Sequence, residues 1–367
     1  MKDQSRLVET FCRYVACDSE SREERGFCEM LEAEIIALGM EVVRDEQAAV
    51  QSGSDGFNIH GYLPGEGEPI LFSAHLDTVP PGRGIRPLVV DGMIRSAGDT
   101  ILGADDKAGV AAIVEAITRL REQKAPHRPV EVLFTVCEEL GLYGARHANY
   151  SLVCAKQAVV LDGIKLGDIV NRTPAKAVIY VEITGKSGHA AVVPPVGISA
   201  IKVAAAAISH IPAGHIDENT VLNVANLLAP GPSNVVPDKA SFEIDLRSFD
   251  RAGFDGHIAH VEAAVKQAAD AVGARYEVRV EIQAEPMFVP PDGALIHRLQ
   301  TVYGKLGVSL KPVGIFGLSD ATMIFQNGIE AVNIGLGLQD IHSTDEHISV
   351  ADLELVTQAM FQMMLAE

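Results

Sequence analysis

Along the first 170 positions, short apolar runs alternate with stretches of helical periodicity, a pattern that predicts helices covering a largely parallel sheet. The runs at residues 70–74, 130–136 and 158–161 are bounded by turn residues, as expected of strands buried on both faces. Between them, Val110, Ile113, Val114, Ile117 and Leu120 recur at helical spacing and predict a helix over 107–122. From about residue 174 the pattern changes. Residues 178–184 alternate like a strand, 198–211 read as an Ala-rich helix, and strands at 221–228 and 241–247 are joined by a loop at 229–239. A helix over 253–272 and a strand over 276–283 complete the order β-α-β-β-α-β of a ferredoxin-like unit. The α/β pattern then resumes, with a helix at 295–306, a strand at 332–334 and a last helix at 351–365. The expected architecture is therefore α/β: an open, mostly parallel sheet domain from residues 1–172 and 285–367, with an α+β domain inserted at 173–284.

Ligands in open α/β sheets bind outside the carboxyl ends of the strands, so the residues just past each apolar run matter most. Residues 70–74 lead into His75-Leu76-Asp77, 130–137 into Glu138-Glu139, 158–161 into Asp162-Gly163, and 332–337 into a loop carrying His342. A fifth cluster, Gly103-Ala104-Asp105-Asp106-Lys107, opens the helix at 107–122. Singly, each has a plain structural role, and Asp105 or Asp106 would serve as a helix N-cap. Together, five segments bring two imidazoles and several carboxylates to one rim, which points to a metal centre. Imidazole and carboxylate donors without thiolate suit zinc, manganese or cobalt. Asp105, Glu139 and Asp162 contribute three negative charges, which two divalent cations balance better than one.

Composition narrows the class. With 30 basic against 49 acidic residues the formal charge is −19, which repels phosphate backbones and anionic headgroups and argues against nucleic acid or membrane partners. The N-terminus lacks an apolar signal region and no run of about 18 uncharged apolar residues occurs, so a cytoplasmic location is expected. Five cysteines (Cys12, Cys17, Cys28, Cys137 and Cys154), an odd set without CxxC spacing, read as reduced packing residues.

The stretch His75-Leu76-Asp77-Thr78-Val79-Pro80-Pro81-Gly82, followed by Asp99-Thr100-Ile101-Leu102-Gly103-Ala104-Asp105-Asp106-Lys107-Ala108-Gly109, resembles the M20 metallopeptidases, and among them the peptidase T-like group. Glu138-Glu139, Asp162-Gly163 and His342-Ser343 come in the family's order, and the resemblance spans nearly the whole chain. It implies one metal on His75, Asp105 and Asp162 and a second on His342, Asp105 and Glu139, with Asp105 bridging. Asp77 would orient the His75 imidazole through its other ring nitrogen. Glu138 would be the general base, its pKa raised by neighbouring carboxylates, while the ions polarise the scissile carbonyl and activate water. In the inserted domain the resemblance assigns His189 to oxyanion stabilisation, from its own or a partner subunit, and Arg247 to a substrate carboxylate. Asn234 is a candidate hydrogen-bond partner of the substrate, and the loop Gly317-Leu318-Ser319-Asp320-Ala321 borders the site. Family order favours His342 over His347 as the ligand. The other histidines, His60 among them, read as surface residues. Relatives dimerise through the inserted domain, so a homodimer is expected.

The leading functional reading is a di-metal exopeptidase for short peptides, aminotripeptidase-like, with two divalent ions, zinc first and cobalt or manganese next. An alternative keeps the chemistry but acts on N-acyl amino acids or other small amides. The chain is shorter than a full peptidase T, which bears on tripeptide preference rather than on the chemistry. A remoter alternative is a non-catalytic protein that binds a carboxylate ligand, against which stands the retention of every ligand position and of the base.

Overall fold

A computed structural model of the chain describes residues 5–192 and 197–366. They pack into two compact units, one of Met1–Asn171, Phe288–Gly314 and Leu318–Glu367, the other of Arg172–Met287 with Ile315–Gly317. Residues 1–4, the start of the segment where a leader would be sought, lie outside the described residues.

The first unit is built on a mixed sheet whose middle strands, in spatial order Val130–Thr135, Ile70–His75, Gln157–Gly163 and Glu330–Gly335, are mutually parallel. Val130–Thr135 and Ile70–His75 are buried along their whole length, which explains why they read as apolar runs. Antiparallel strands extend the sheet on both sides. Asn58–Leu63 pairs with Val130–Thr135 and in turn with the edge strand Glu41–Asp45, and Asp168–Thr173 pairs with Glu330–Gly335. The helix Ala104–Gln123 packs on Ile70–His75 and Gln157–Gly163 and is covered by the helices Arg6–Val15 and Val350–Met364. Contact between helix and sheet is close at Gly109, where a Cβ would lie 2.3 Å from the Leu161 carbonyl oxygen, so only glycine fits. Within this helix Asp105 (φ −82°, ψ 103°) and Asp106 (φ −119°, ψ 26°) are non-helical, and regular helix begins at Lys107. A small sheet of Pro87–Val90, Met93–Ser96 and His347–Ser349 was not anticipated by the apolar pattern.

In the second unit the antiparallel strands run Gly214–His215, Thr220–Leu228, Lys239–Ser248, Ala175–Thr184, Arg275–Ala284. Burial alternates along Ala175–Thr184 and Lys239–Ser248, with Ile179, Val181, Phe242, Ile244 and Leu246 on the covered face. The helices Ala200–Ile208 and Arg251–Asp270 close that face against each other, their N-termini capped by Ser199 and Asp250. Leaving aside the two-residue strand, the chain order is βαββαβ. Ile315–Gly317, which the sequence pattern places outside this unit, joins it because Phe316 packs on Phe249 with ring centroids 4.6 Å apart. Among the described residues no helix is long and apolar enough to cross a membrane.

Candidate metal centre

Parallel register aligns the strand ends that carry the candidate ligands. Ile70↔Val130 through His75↔Thr135 sets His75 level with the end of the strand leading to Glu138 and Glu139. Ser73↔Val160 does the same for the strand leading to Asp162. The His75 Nε2 atom lies 3.1 Å from Asp105 Oδ1 and 3.9 Å from Asp162 Oδ1. On the other side of the same carboxylate, His342 Nε2 lies 3.3 Å from Asp105 Oδ2 and 2.9 Å from Glu139 Oε1. Two donor groups result, His75–Asp105–Asp162 and Asp105–Glu139–His342, each with its ligand atoms within 4.8 Å of one another. Asp105 belongs to both and offers one oxygen to each. His75, Glu138 and Glu139 form a third such group, which places the proposed base beside the ligands. His347 faces Asp345 and Asp340 instead and belongs to none of them.

The turns that present these side chains are held by buried carboxylates accepting main-chain N–H groups. Asp77, fully buried, accepts from Glu138 N at 2.9 Å through Oδ1 and from Glu139 N at 3.2 Å through Oδ2, and also from the Ser21 hydroxyl at 2.7 Å. Its carboxylate stands 3.4 Å from His75 Nδ1, which hydrogen-bonds at 2.9 Å to the Asp77 main-chain carbonyl. His75 Nδ1 thus meets Asp77 through both its main-chain carbonyl and its carboxylate, and that carboxylate also positions the Glu138-Glu139 turn. Asp106 accepts the His75 N–H at 3.1 Å, Asn333 accepts that of Asp162 at 3.0 Å, and Glu24 accepts that of Cys137 at 3.0 Å. Cys137 (φ 52°) and His342 (φ 59°) are left-handed, a conformation that costs about 1–3 kcal/mol and persists where surrounding contacts enforce it. Sequence reasoning missed Glu24, Asp106 and Asn333 as supports because their partners are main-chain groups far away in the chain.

Electrostatics match the donor set. Loss of hydration, and then the charge of Asp162, hold the Glu138 carboxyl well above its ordinary range. Asp162 is raised by burial and then by Asp105, and burial pushes Glu139 up to about 7. Burial also raises Asp105, yet hydrogen bonds from His342 and then His75 win and hold it well below the usual range. Asp320, buried, accepts from the Thr135 hydroxyl and is raised by burial to about 6. A cluster in which several carboxyls are driven towards protonation at one rim fits two divalent cations, which would restore the anions. His342, raised to about 9 chiefly by its hydrogen bond to Asp105, supplies a test. A ring held protonated in this way must lose that proton to bind a metal. Zinc titrated calorimetrically between about pH 6 and 8 is expected to bind more tightly as pH rises and to release protons. Affinity independent of pH over that range would remove both His342 and Glu139, itself raised to about 7, from the ligand set.

The candidates of the second unit lie apart in the chain from these strands. Exposed His189 pairs with Val235, and the Asn234 carbonyl accepts the Ala190 N–H at 3.0 Å, so His189 and Asn234 sit on facing segments. His189 Nδ1 accepts the Ala191 N–H at 3.1 Å. Arg247 makes a two-pronged contact with Asp245 at 2.8 and 3.1 Å and donates to the Phe316 carbonyl at 2.8 Å. Two readings from the sequence are corrected. His60 is buried on the strand Asn58–Leu63, 3.6 Å from Asp45, because that strand is covered on both faces. Cys154 is exposed rather than packed, since it comes just after the short turn Tyr150–Leu152, and all five cysteines are free.

Residues 71–366 match the family described as Peptidase family M20/M25/M40. The chain is 35% identical over 357 residues to the protein YqjE of Bacillus subtilis (strain 168), covering 96% of each. Its structure resembles that of aminopeptidase PepT from Bacillus cereus ATCC 10987 with a TM-score of 0.93 at 35% identity, over 99% of this chain and 98% of that one. A tripeptidase from Staphylococcus aureus subsp. aureus mu50 gives 0.94 at 33% identity, over 98% and 97%. A match over most of the length means that the chain belongs to peptidase family M20/M25/M40 and is a peptide hydrolase.

Proposed function

We propose that the protein is a di-metal aminopeptidase that removes the N-terminal residue of short peptides, tripeptides first among them, in the cytoplasm. The observation that carries the two-ion reading is the division of Asp105, one oxygen towards His75 and Asp162 and the other towards Glu139 and His342. The names borne by the Bacillus cereus and Staphylococcus aureus proteins support the substrate class. Two divalent cations in these donor groups, zinc by preference and cobalt or manganese as substitutes, would polarise the scissile carbonyl and make water acidic enough to deprotonate near neutral pH.

The chain's own residues supply the rest. Glu138 takes the proton of the attacking water and returns it to the leaving amine, a task suited to a carboxylate raised by burial. Asp77 fixes the main chain beneath Glu138 and Glu139, so that base and ligand keep their relative placement. His189 donates to the developing oxyanion. Its Nδ1 already accepts a hydrogen bond, so the neutral ring carries its proton on Nε2. Among the described residues, Arg247 keeps two of its five N–H groups beyond those used by Asp245 and Phe316, and these would meet a substrate carboxylate, with Asn234 as a further donor. We assign a homodimer to the second unit, where Arg275–Ala284 forms a sheet edge paired on one side among the described residues.

The deciding experiment incubates protein reconstituted with zinc, cobalt or manganese with free tripeptides, dipeptides, N-blocked tripeptides and N-acyl amino acids, and separates the products. Metal-dependent release of the first residue from free tripeptides is expected. Cleavage confined to N-acyl amino acids would replace the substrate class and leave the centre standing. Sedimentation showing monomer alone at micromolar concentration would rule out the dimer.

A further inference from the structure

We propose that Glu346 is a positioning residue that ties the turn bearing Asp105 to the loop bearing His342 and thereby assembles the Asp105–Glu139–His342 half of the centre. The inference rests on the two-ion reading above. Glu346 is 1% exposed and does not belong to any of the donor groups, so its carboxylate has another use. Its Oε2 accepts the N–H groups of Leu102 and Gly103, both at 2.8 Å, and its Oε1 accepts that of Asp105 at 3.0 Å. Three main-chain donors from a stretch of four residues, more than 240 positions away, converge on this one side chain. They satisfy a buried anion, and they define the path of the backbone into Asp105.

The other end of the tie is the metal-ligand loop itself. Glu346 stands four residues after His342, and its own N–H closes the loop onto Ser343 O at 3.2 Å. At the base, Gln339 and His347 exchange main-chain hydrogen bonds at 3.0 and 3.1 Å, and His347–Ser349 is anchored in the small sheet. The tip is less supported. His342 has a side chain 47% exposed and a left-handed backbone, and its imidazole touches the two carboxylates with which it would share an ion. Among the described residues, Glu346 and the His342–Asp105 contact are the polar links between this loop and the turn at Leu102–Asp105. The shape of the second ion's cradle before the ion arrives is therefore set by Glu346.

Glu346→Gln keeps the size but presents an amide NH₂ where one oxygen accepted, so at least one of the three N–H groups loses its partner. Dialysed Glu346→Gln protein is expected to hold one ion per chain where the parent holds two. The cobalt concentration that half-saturates the weaker site should rise about 10- to 100-fold, the usual effect of losing a group that supports a ligand. In the metal-free proteins, the amides of Leu102, Gly103 and Asp105 should exchange with deuterium at least about tenfold faster in the variant, with the strand Ile70–His75 unchanged. Faster exchange throughout the unit would signal a general loss of stability and overturn the assignment. So would two ions per chain with half-saturation within about twofold of the parent. If Glu346→Gln does not fold, Glu346→Asp, which withdraws the charge by one methylene, carries the same two measurements. A parent that binds one ion would sink the two-ion reading, while amide exchange would still report whether Glu346 holds the turn.

Discussion

Glu138→Gln is expected to lower kcat for tripeptide hydrolysis by about 10²- to 10⁴-fold, the range that general acid–base catalysis contributes, with two ions per chain retained. Glutamine preserves the side chain's shape and the main-chain hydrogen bond from residue 138 to Asp77, so the turn and the neighbouring ligand Glu139 stay in place. What disappears is the ability to accept and return a proton. The carboxylate is suited to that task because lost hydration and the charge of Asp162 raise it well above an ordinary glutamate. Turnover of a free tripeptide, with metal counted by mass spectrometry on the same sample, checks both parts. A rate within about threefold of the parent would remove Glu138 from the role of base.

Asp105→Ala is expected to abolish binding of both ions and to lower activity by about 10³-fold or more, since ions that polarise a carbonyl contribute several kcal/mol and each ~1.4 kcal/mol is tenfold. The expectation rests on one carboxylate standing between two imidazoles, 3.1 Å from His75 and 3.3 Å from His342. His342→Ala, by contrast, should cost one ion, because His342 belongs to a single donor group. If Asp105→Ala still bound one ion at the parent's affinity, Asp105 would not be shared.

How much of the fold and the site can be read from the sequence depends on where the physics is local. Strands buried on both faces are rich in apolar residues, so Ile70–His75 and Gln157–Gly163 stand out, and the polar residues that end them are visible by contrast. The helix at 107–122 is likewise legible, and its regular part begins at Lys107. The antiparallel strands on one side of that sheet are not. Glu41–Asp45, at the edge, is largely exposed, and Asn58–Leu63, paired on both sides, hides Asn58 and His60 among apolar positions, so neither shows a clean period. The candidate ligands could be named because imidazole and carboxylate side chains at strand ends display their chemistry in the sequence. Their supports could not. Glu24, Asp106, Asn333 and Glu346 act on peptide N–H groups, which every residue but proline carries, across separations of 31 to 244 positions. Arg247 shows the converse: its residue type suits a substrate carboxylate, yet its nearest carboxylate is Asp245, two positions away on the same strand.

Phe316 sets a limit on how the protein can be cut and recombined. Its carbonyl receives Arg247, and its ring meets Phe249 at 4.6 Å and His215 at 5.7 Å, although it lies well beyond Met287 in the chain. A graft bounded at Arg172 and Met287 would carry the second unit into a new host with an aromatic face bare and an arginine short of an acceptor. Transplanting that unit between relatives, in the laboratory or over evolutionary time, therefore requires the tripeptide Ile315-Phe316-Gly317 to travel with it.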